Sequence, residues 1–357
     1  MKNYGLPYKG SKNKLAERIL DMLPRTEHLY DLFCGGCAIS HCALDKSRYN
    51  HVHVNDINAM MPQAFVTALQ GGFENEDRWI SREEFFRLKD TDPYVAICFS
   101  FGNDLKTYCY GRDIEETKKA LHYAIFFGSY ELSDSLLGID LRPIEQCATR
   151  QEKYLMAKRI IQNTPPTSRN VGELAAVAKN TDCKAWSDFA VSGKFQKKKK
   201  EWTCRVGNVS TEYHLAELAE RKPIMQNYPP RLESMERLLQ ITNKVGNTSS
   251  LTWSAGDYQD VKIEDNSVIY ADIPYKSTNT YVGEGEDFDY ERFYEWCLKQ
   301  TQPLFISSYE MPKSDFKVVA EFSRRDTMSA SSNSNNVTER IFIPRTQEYI
   351  NKELKLF

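Results

Sequence analysis

Apolar residues at 15, 19, 22 and 23 of "SKNKLAERILDML" recur at helical spacing, and Ser11 stands ahead of them as a capping residue. The spacing predicts an amphipathic helix opening near Ser11. "HLYDLF" then reads as a short buried strand, "AISHCALDK" as a helix, and "HVHVND" alternates like a second strand that ends in an acid at Asp56. This strand–helix–strand order predicts a parallel sheet with helices on its faces. The same texture returns near residue 251. "SVIYADIPY", "PLFISSY", "FKVVAEF" and "RIFIP" read as strands, with a helix over Tyr290 to Gln300 between the first two. From about 91 to 245 the chain is polar and helical instead, with Pro-Pro pairs at 165–166 and 229–230. The expected organisation is therefore a split α/β domain, residues 1–90 and 246–357, with an inserted and mainly helical domain over 91–245. No internal repeat interrupts it, and "SASSNSNN" (Ser329 to Asn336) reads as a loop.

Composition changes this picture little. The chain has 357 residues, 41% of them hydrophobic and 27% charged, enough for one large α/β domain or for two. Its first residues lack the apolar core of a signal peptide, and runs such as Val95 to Phe101 are too short to span a bilayer. The nine cysteines are odd in number and scattered, which argues against a disulfide framework and for a reducing cytoplasm. A net charge of −2 excludes a globally basic nucleic-acid binder but not a local patch. One such patch runs from Lys194 to Arg205, where Lys194, Lys197, Lys198, Lys199, Lys200 and Arg205 face a single Glu201. A solvated hairpin tip accounts for a lysine run by itself. Phe195 and Trp202 on either side favour nucleic-acid contact, because aromatic rings stack beside phosphate-binding charges.

Candidate chemistry lies at two strand ends. Behind "LYDLF" comes Cys34-Gly35-Gly36 and then a helix, which places backbone N–H groups at a helix start with nothing bulky in the way. About twenty residues on, Asp56 ends the second strand, where an acid can accept hydrogen bonds from ribose hydroxyls; an exposed helix cap explains it equally well by itself. Together the two features point to a nucleoside-containing cofactor. The second strand end is "VIYADIPYKST", which delivers Asp272, Ile273, Pro274 and Tyr275. A base's exocyclic amine is a poor nucleophile, since its lone pair is delocalised into the ring. A carboxylate and a backbone carbonyl can bind both amino hydrogens and draw the nitrogen toward tetrahedral geometry. A flat aromatic side chain can clamp the extruded base.

These residues resemble the Asp-Pro-Pro-Tyr motif of DNA amino-methyltransferases, with Ile273 in place of the first proline. "PYKGSK" resembles the first motif of the Dam-like DNA adenine-N6 methyltransferases, "DLFCGG" their glycine motif, and "SAGDYQDV" the segment that meets the cofactor's adenine. The order of motifs is also theirs, and the likeness covers roughly residues 1–70 and 250–345. It implies a Rossmann-like class I methyltransferase sheet, S-adenosyl-L-methionine as cofactor, and transfer of its methyl group to the N6 amine of an adenine flipped from double-stranded DNA. On the same resemblance Tyr8 and Lys12 meet the methionine end, Asp31, Phe33, Gly35 and Gly36 line the glycine turn, Asp56 takes the ribose, and Asp257 and Tyr258 the adenine. Asp272, Ile273, Pro274 and Tyr275 form the catalytic edge. The insert becomes a target-recognition domain, with Lys197, Lys198, Lys199, Lys200 and Arg205 as its DNA contacts. It also implies a cytoplasmic enzyme of a prokaryote or phage, linked to restriction or acting alone, without metal, membrane or obligatory protein partner. The glycine motif usually reads Phe-x-Gly-x-Gly, but position 37 is Cys here; Gly36 is expected to supply the lost flexibility.

Other readings use the same residues. Cys34 and Cys37 with His41 and Cys42 form a zinc- or redox-like cluster, but the remaining cysteines (98, 109, 147, 183, 204, 297) offer no second pair. Cytosine-C5 chemistry calls for a Pro-Cys nucleophile, and none of the fourteen prolines precedes a cysteine. Cytosine-N4 enzymes share the amine chemistry but commonly carry Ser at the position of Asp272. A catalytically degenerate DNA-binding protein would keep the same insert. Within the insert, Asn170 to Phe189 fits a helix-turn-helix and fits two core helices equally well; its length favours the latter.

Overall fold

A computed structural model describes residues 3–112, 114–163, 195–198, 201–204, 234–236, 250–275, 288–325 and 336–347. The chain opens with α1 (Ala16–Met22), β1 (His28–Asp31), α2 (Ala38–Asp45), β2 (His51–Asp56) and α3 (Met60–Leu69). The middle holds α4 (Arg82–Leu88), α5 (Pro93–Phe99), α6 (Glu115–His122) and α7 (Arg150–Asn163), followed by strands β3 (Phe195–Lys198) and β4 (Glu201–Cys204). The last part supplies β5 (Leu251–Ala255), β6 (Ser267–Asp272), α8 (Tyr290–Lys299), β7 (Leu304–Ser308), β8 (Phe316–Arg325) and β9 (Asn336–Pro344). Contacts divide the chain into two compact units, one of Met1–Asn75 with Arg237–Phe357 and one of Glu76–Glu236.

The first unit is built on a seven-stranded sheet in the order β5-β2-β1-β6-β7-β9-β8. β5, β2, β1, β6 and β7 pair in parallel, whereas β9 runs antiparallel to both β7 and β8. This is the mixed α/β class expected from the sequence. The parallel strands β6 and β7 read as continuous apolar runs because both their faces are covered. On one side α8 turns Phe293, Tyr294 and Cys297 inward, where they join Tyr30, Ile269, Leu304 and Phe342 in one buried cluster. Asp289 starts that helix by accepting a bond from the Arg292 N–H at 3.0 Å. Burying a ring such as Phe293 contributes roughly 1.5–3 kcal/mol.

The first helix begins later than its periodicity predicts. Ser11 caps no helix; its hydroxyl accepts from the Asn13 N–H at 3.3 Å, and α1 starts only after Leu15. The backbone is occupied by tight turns instead, with Ser11 N–H donating to the Tyr8 carbonyl at 3.1 Å and Leu15 N–H to the Lys12 carbonyl at 2.8 Å. The apolar positions 15, 19, 22 and 23 thus belong to α1 and its two ends, whereas the polar stretch from Ser11 forms a loop that carries Lys12.

Among the described residues of the second unit, 76–163 are mainly helical, with a core around Leu121, Ile125, Tyr130, Leu141 and Tyr154. Its α4 opens on a reciprocal cap between Ser81 and Glu84, and α5 on Asp92 followed by Pro93. Residues 76–90, placed with the flanking domain by hydropathy, pack here. Trp79 stacks on Tyr110 at 5.4 Å, and Phe85 meets Tyr108 at 5.4 Å. β3 and β4 form an antiparallel pair in which Lys198 stands opposite Glu201. Lys199, Lys200 and Arg205 lie outside the described residues, as do Asn170 to Phe189, both Pro-Pro pairs and residues 329–335; the side chains of Lys197 and Lys198 are not described. No helix among the described residues is long and apolar enough to cross a membrane.

Candidate active site

In a parallel sheet the chain leaves neighbouring strands in opposite directions at one place, and the connections there open a crevice at the carboxyl ends. Here that place lies between β1, whose chain proceeds to β2 and β5, and β6, whose chain proceeds to β7. Asp31 pairs in register with Tyr270, so the segments after both strands emerge side by side. They line one cleft with about 780 Å3 of space, part of it open to solvent.

The turn after β1 is fastened to both neighbours. Leu32 N–H donates to the Tyr270 carbonyl at 3.1 Å and Cys34 N–H to the Asn55 carbonyl at 3.0 Å. Gly35 is left-handed, with φ 44°. A Cβ there would stand 2.9 Å from Tyr8 Cε1, and one on Gly36 would stand 2.8 Å from both the Leu6 carbonyl oxygen and Tyr8 Cβ. Gly36 is required for this close approach, not for its flexibility as the sequence suggested. Cys37 is left-handed as well, with φ 56° and ψ 36°, directly ahead of α2. A side chain in that conformation costs on the order of 1–2 kcal/mol, offset by burial of the small thiol in the turn.

Two acids flank the turn. Asp31 is buried and accepts from the Ser40 hydroxyl at 2.6 Å. Burial pushes its pKa up to about 7, against the lowering effect of the Ser40 bond. Asp56 accepts from the Gly35 N–H at 2.8 Å and the Asn58 N–H at 2.9 Å. Burial raises this carboxyl as well, while the two N–H donors oppose the shift.

On the β6 side, Asp272, Ile273, Pro274 and Tyr275 line the cleft together with Tyr8, Lys12, Phe33, Gly35 and Gly36. The buried Lys12 ammonium lies 2.7 Å from Asp272 Oδ2 and 5.1 Å from the centre of the Tyr275 ring. Tyr275 donates to Glu339 Oε1 at 2.6 Å and reaches Asp272 Oδ1 at 3.2 Å, and its ring packs against Tyr309 at 4.1 Å. Tyr290 fixes the turn by donating to the Pro274 carbonyl at 3.0 Å. Burial holds the Tyr275 phenol well above its ordinary pKa, with Asp272 and Glu339 adding to the rise.

Two predicted contacts fall off the cleft walls. Asp257 caps a short turn and pairs with Arg292 at 2.9 Å. Tyr258 is buried behind Phe33, 5.3 Å between rings, in an aromatic cluster with Phe293 and Trp296. Its hydroxyl has no hydrogen-bond partner among the described residues. The cysteines of the glycine turn serve packing: Cys34 and Cys37 are buried, and burial raises both thiols above the ordinary range. His41 Nδ1 accepts from the Gly5 N–H at 2.9 Å.

Two residues escaped the sequence reading. Glu339 is buried on β9, bonded to Tyr275 and 3.9 Å from the Lys12 ammonium. Its signal was the strand alternation, which sets it in phase with the buried Ile341 and Ile343. Ile57 follows Asp56, lines the cleft and stays 76% exposed, so it presents an apolar face there.

The sequence model of the D12 class N6 adenine-specific DNA methyltransferases matches residues 8–126. That family is one of enzymes, and the match takes in the turn before α1, the glycine turn and Asp56. No curated protein matches the chain.

Proposed function

We propose that this protein is an S-adenosyl-L-methionine-dependent methyltransferase that modifies the N6 amine of an adenine extruded from double-stranded DNA. The observation that carries the reading is the meeting of two separate chain segments at the switch point of the sheet. One brings Lys12, the glycine turn and Asp56; the other brings Asp272 to Tyr275. The donor set suits the cofactor. Asp31, Asp56 and Asp272 line the cleft against Lys9 and Lys12, so it favours a ligand with a cationic centre and hydroxyl donors. Gly35 and Gly36 leave the turn open where any Cβ would fill it.

Bound S-adenosyl-L-methionine supplies an electrophilic methyl group on a sulfonium. The chain's own residues do the positioning. Asp56, with two of its roughly four lone-pair directions taken by Gly35 and Asn58, accepts from ribose hydroxyls, and Ile57 covers an apolar face beside it. In this reading the Asp272 carboxylate, held by Lys12 and reached by Tyr275, accepts one amino hydrogen, and the Ile273 carbonyl accepts the other. Lys12 fixes the Asp272 carboxylate in direction, so it meets the amine as an acceptor. Tyr275, braced by Tyr309 and Glu339, walls the position of the base. These residues would align the amine with the methyl group, and such alignment supplies much of the rate. The helical second unit serves as the target-recognition domain, with the β3–β4 lysines on phosphates.

The test is to incubate the protein with methyl-labelled cofactor and mixed-sequence duplex DNA, digest the product and identify the labelled nucleoside. N6-methyladenosine of the deoxy series is expected. Label on cytosine at N4 or C5, or none on DNA, would overturn the proposal.

A further inference from the structure

A second group of chemistry-bearing side chains sits at the amino-terminal edge of the sheet, opposite the edge that forms the cleft. The parallel register of β1 and β2 sets His28 beside His51 and Tyr30 beside His53. Half of the chain's six histidines gather on these two strands. The His28 and His51 rings stack at 4.7 Å with 19° between planes. One ligand atom from each of Glu27, His28 and His51 lies within 4.8 Å of the others.

We propose that Glu27, His28 and His51 bind a divalent transition ion of the zinc class. Two imidazoles and a carboxylate, completed by water, are an ordinary donor set for such an ion. Bonds of about 2.0–2.2 Å in tetrahedral geometry put donors roughly 3.3–3.6 Å apart. Closing to that separation asks for rotation of the exposed Glu27 and His51 side chains, not of the backbone. The backbone is already tied: the Glu27 carbonyl accepts from the N–H groups of both Asn50 and His51 at 3.1 Å. His28 is also oriented. Its Nδ1 lies 3.0 Å from His53 Nε2, and His53 Nδ1 lies 2.6 Å from Thr252 Oγ1. The tautomer in which His28 donates to His53, and His53 to Thr252, leaves His28 Nε2 as the nitrogen able to ligate an ion. Metal-bound imidazoles commonly spend their second nitrogen on such a partner. A bound ion would clamp the beginnings of β1 and β2, the two strands whose far ends carry the glycine turn and Asp56. The competing account is that the rings only pack on a strand surface, and it predicts no metal affinity. The proposal is independent of the methyltransferase reading.

The experiment is calorimetric titration of chelator-stripped full-length protein with Zn2+, repeated on His51→Ala and Glu27→Gln, with thermal melts alongside. Because cysteines also bind zinc, Co2+ spectra report whether thiolate takes part. Wild type is expected to bind one ion per chain without a thiolate-to-cobalt charge-transfer band, and to melt at a higher temperature when loaded. His51→Ala should weaken binding at least tenfold and abolish the metal-induced rise, while melting like the metal-free wild type without zinc. Equal binding by both variants, a thiolate band, or no binding by wild type overturns the site.

Discussion

Asp31 carries a charge that the fold disfavours, and its replacement by asparagine has a calculable consequence. Its carboxyl is buried and held at about 7, compared with an ordinary value of 3.8. An acid whose folded pKa lies above its unfolded value contributes stability that is complete below the unfolded pKa and lost as pH rises through the folded one. The relevant window therefore runs from pH 4 to somewhat above 7. Integrating between pH 5 and pH 8 gives a loss on the order of 3 kcal/mol in the wild type, which an uncharged amide at this position does not suffer. The amide keeps an acceptor for the Ser40 hydroxyl but brings a donor that must find a partner, at a cost of about 1–3 kcal/mol that does not vary with pH. Asp31→Asn should thus be slightly less stable than wild type at pH 5 and comparable or more stable at pH 8. The assay is urea unfolding of both proteins at the two pH values, followed by a probe in the first unit. The decisive quantity is the change in their stability difference between the two values, free of the constant amide penalty. A difference that stays level from pH 5 to pH 8 would refute the assignment of a raised carboxyl at Asp31.

Two further expectations follow from the cleft and the basic segment. Glu339→Gln keeps the shape of the side chain but removes one of the two carboxylates around Lys12 and weakens the Tyr275 bond; it should destabilise the first unit by roughly 1–3 kcal/mol and slow methyl transfer more than it weakens cofactor binding. Unaltered unfolding and turnover would show that Glu339 only fills space. Replacing Lys197, Lys198, Lys199 and Lys200 by Gln should weaken DNA binding across sequences and flatten its dependence on salt, by a slope of about 0.9 for each phosphate no longer neutralised; an unchanged slope in fluorescence anisotropy titrations would make the run a solvated tip.

The parts of the fold that hydropathy made legible are those in which one local rule decides. β1, α2 and β2 stand where alternation and helical spacing set them, and α8 opens at an acid cap. The start of α1 was not legible, because Ser11 reads as a cap although the polar residues after it are taken up by the tight turns around Lys12. Residues 76–90 pack with the second unit because Trp79 and Phe85 meet Tyr110 and Tyr108, contacts no local pattern encodes. At the site, Lys12, Asp56 and Asp272 were named from motifs, but their meeting depends on β1 and β6 being neighbours although more than two hundred residues apart. The motif correspondence that named Tyr258 gave no hint of its burial behind Phe33. Glu339 was hidden for the opposite reason: its strand is apolar in phase with it, and a glutamate there looks like surface until Tyr275 and Lys12 are seen beside it.

The central claim is that Asp272 engages the target amine. It is tested most directly by measuring transfer of labelled methyl groups to duplex DNA by wild type and Asp272→Ala, with cofactor binding measured on both by calorimetry. The account predicts N6-methyladenine from the wild type, and transfer abolished in the variant with cofactor binding largely kept. Transfer retained by Asp272→Ala would contradict it.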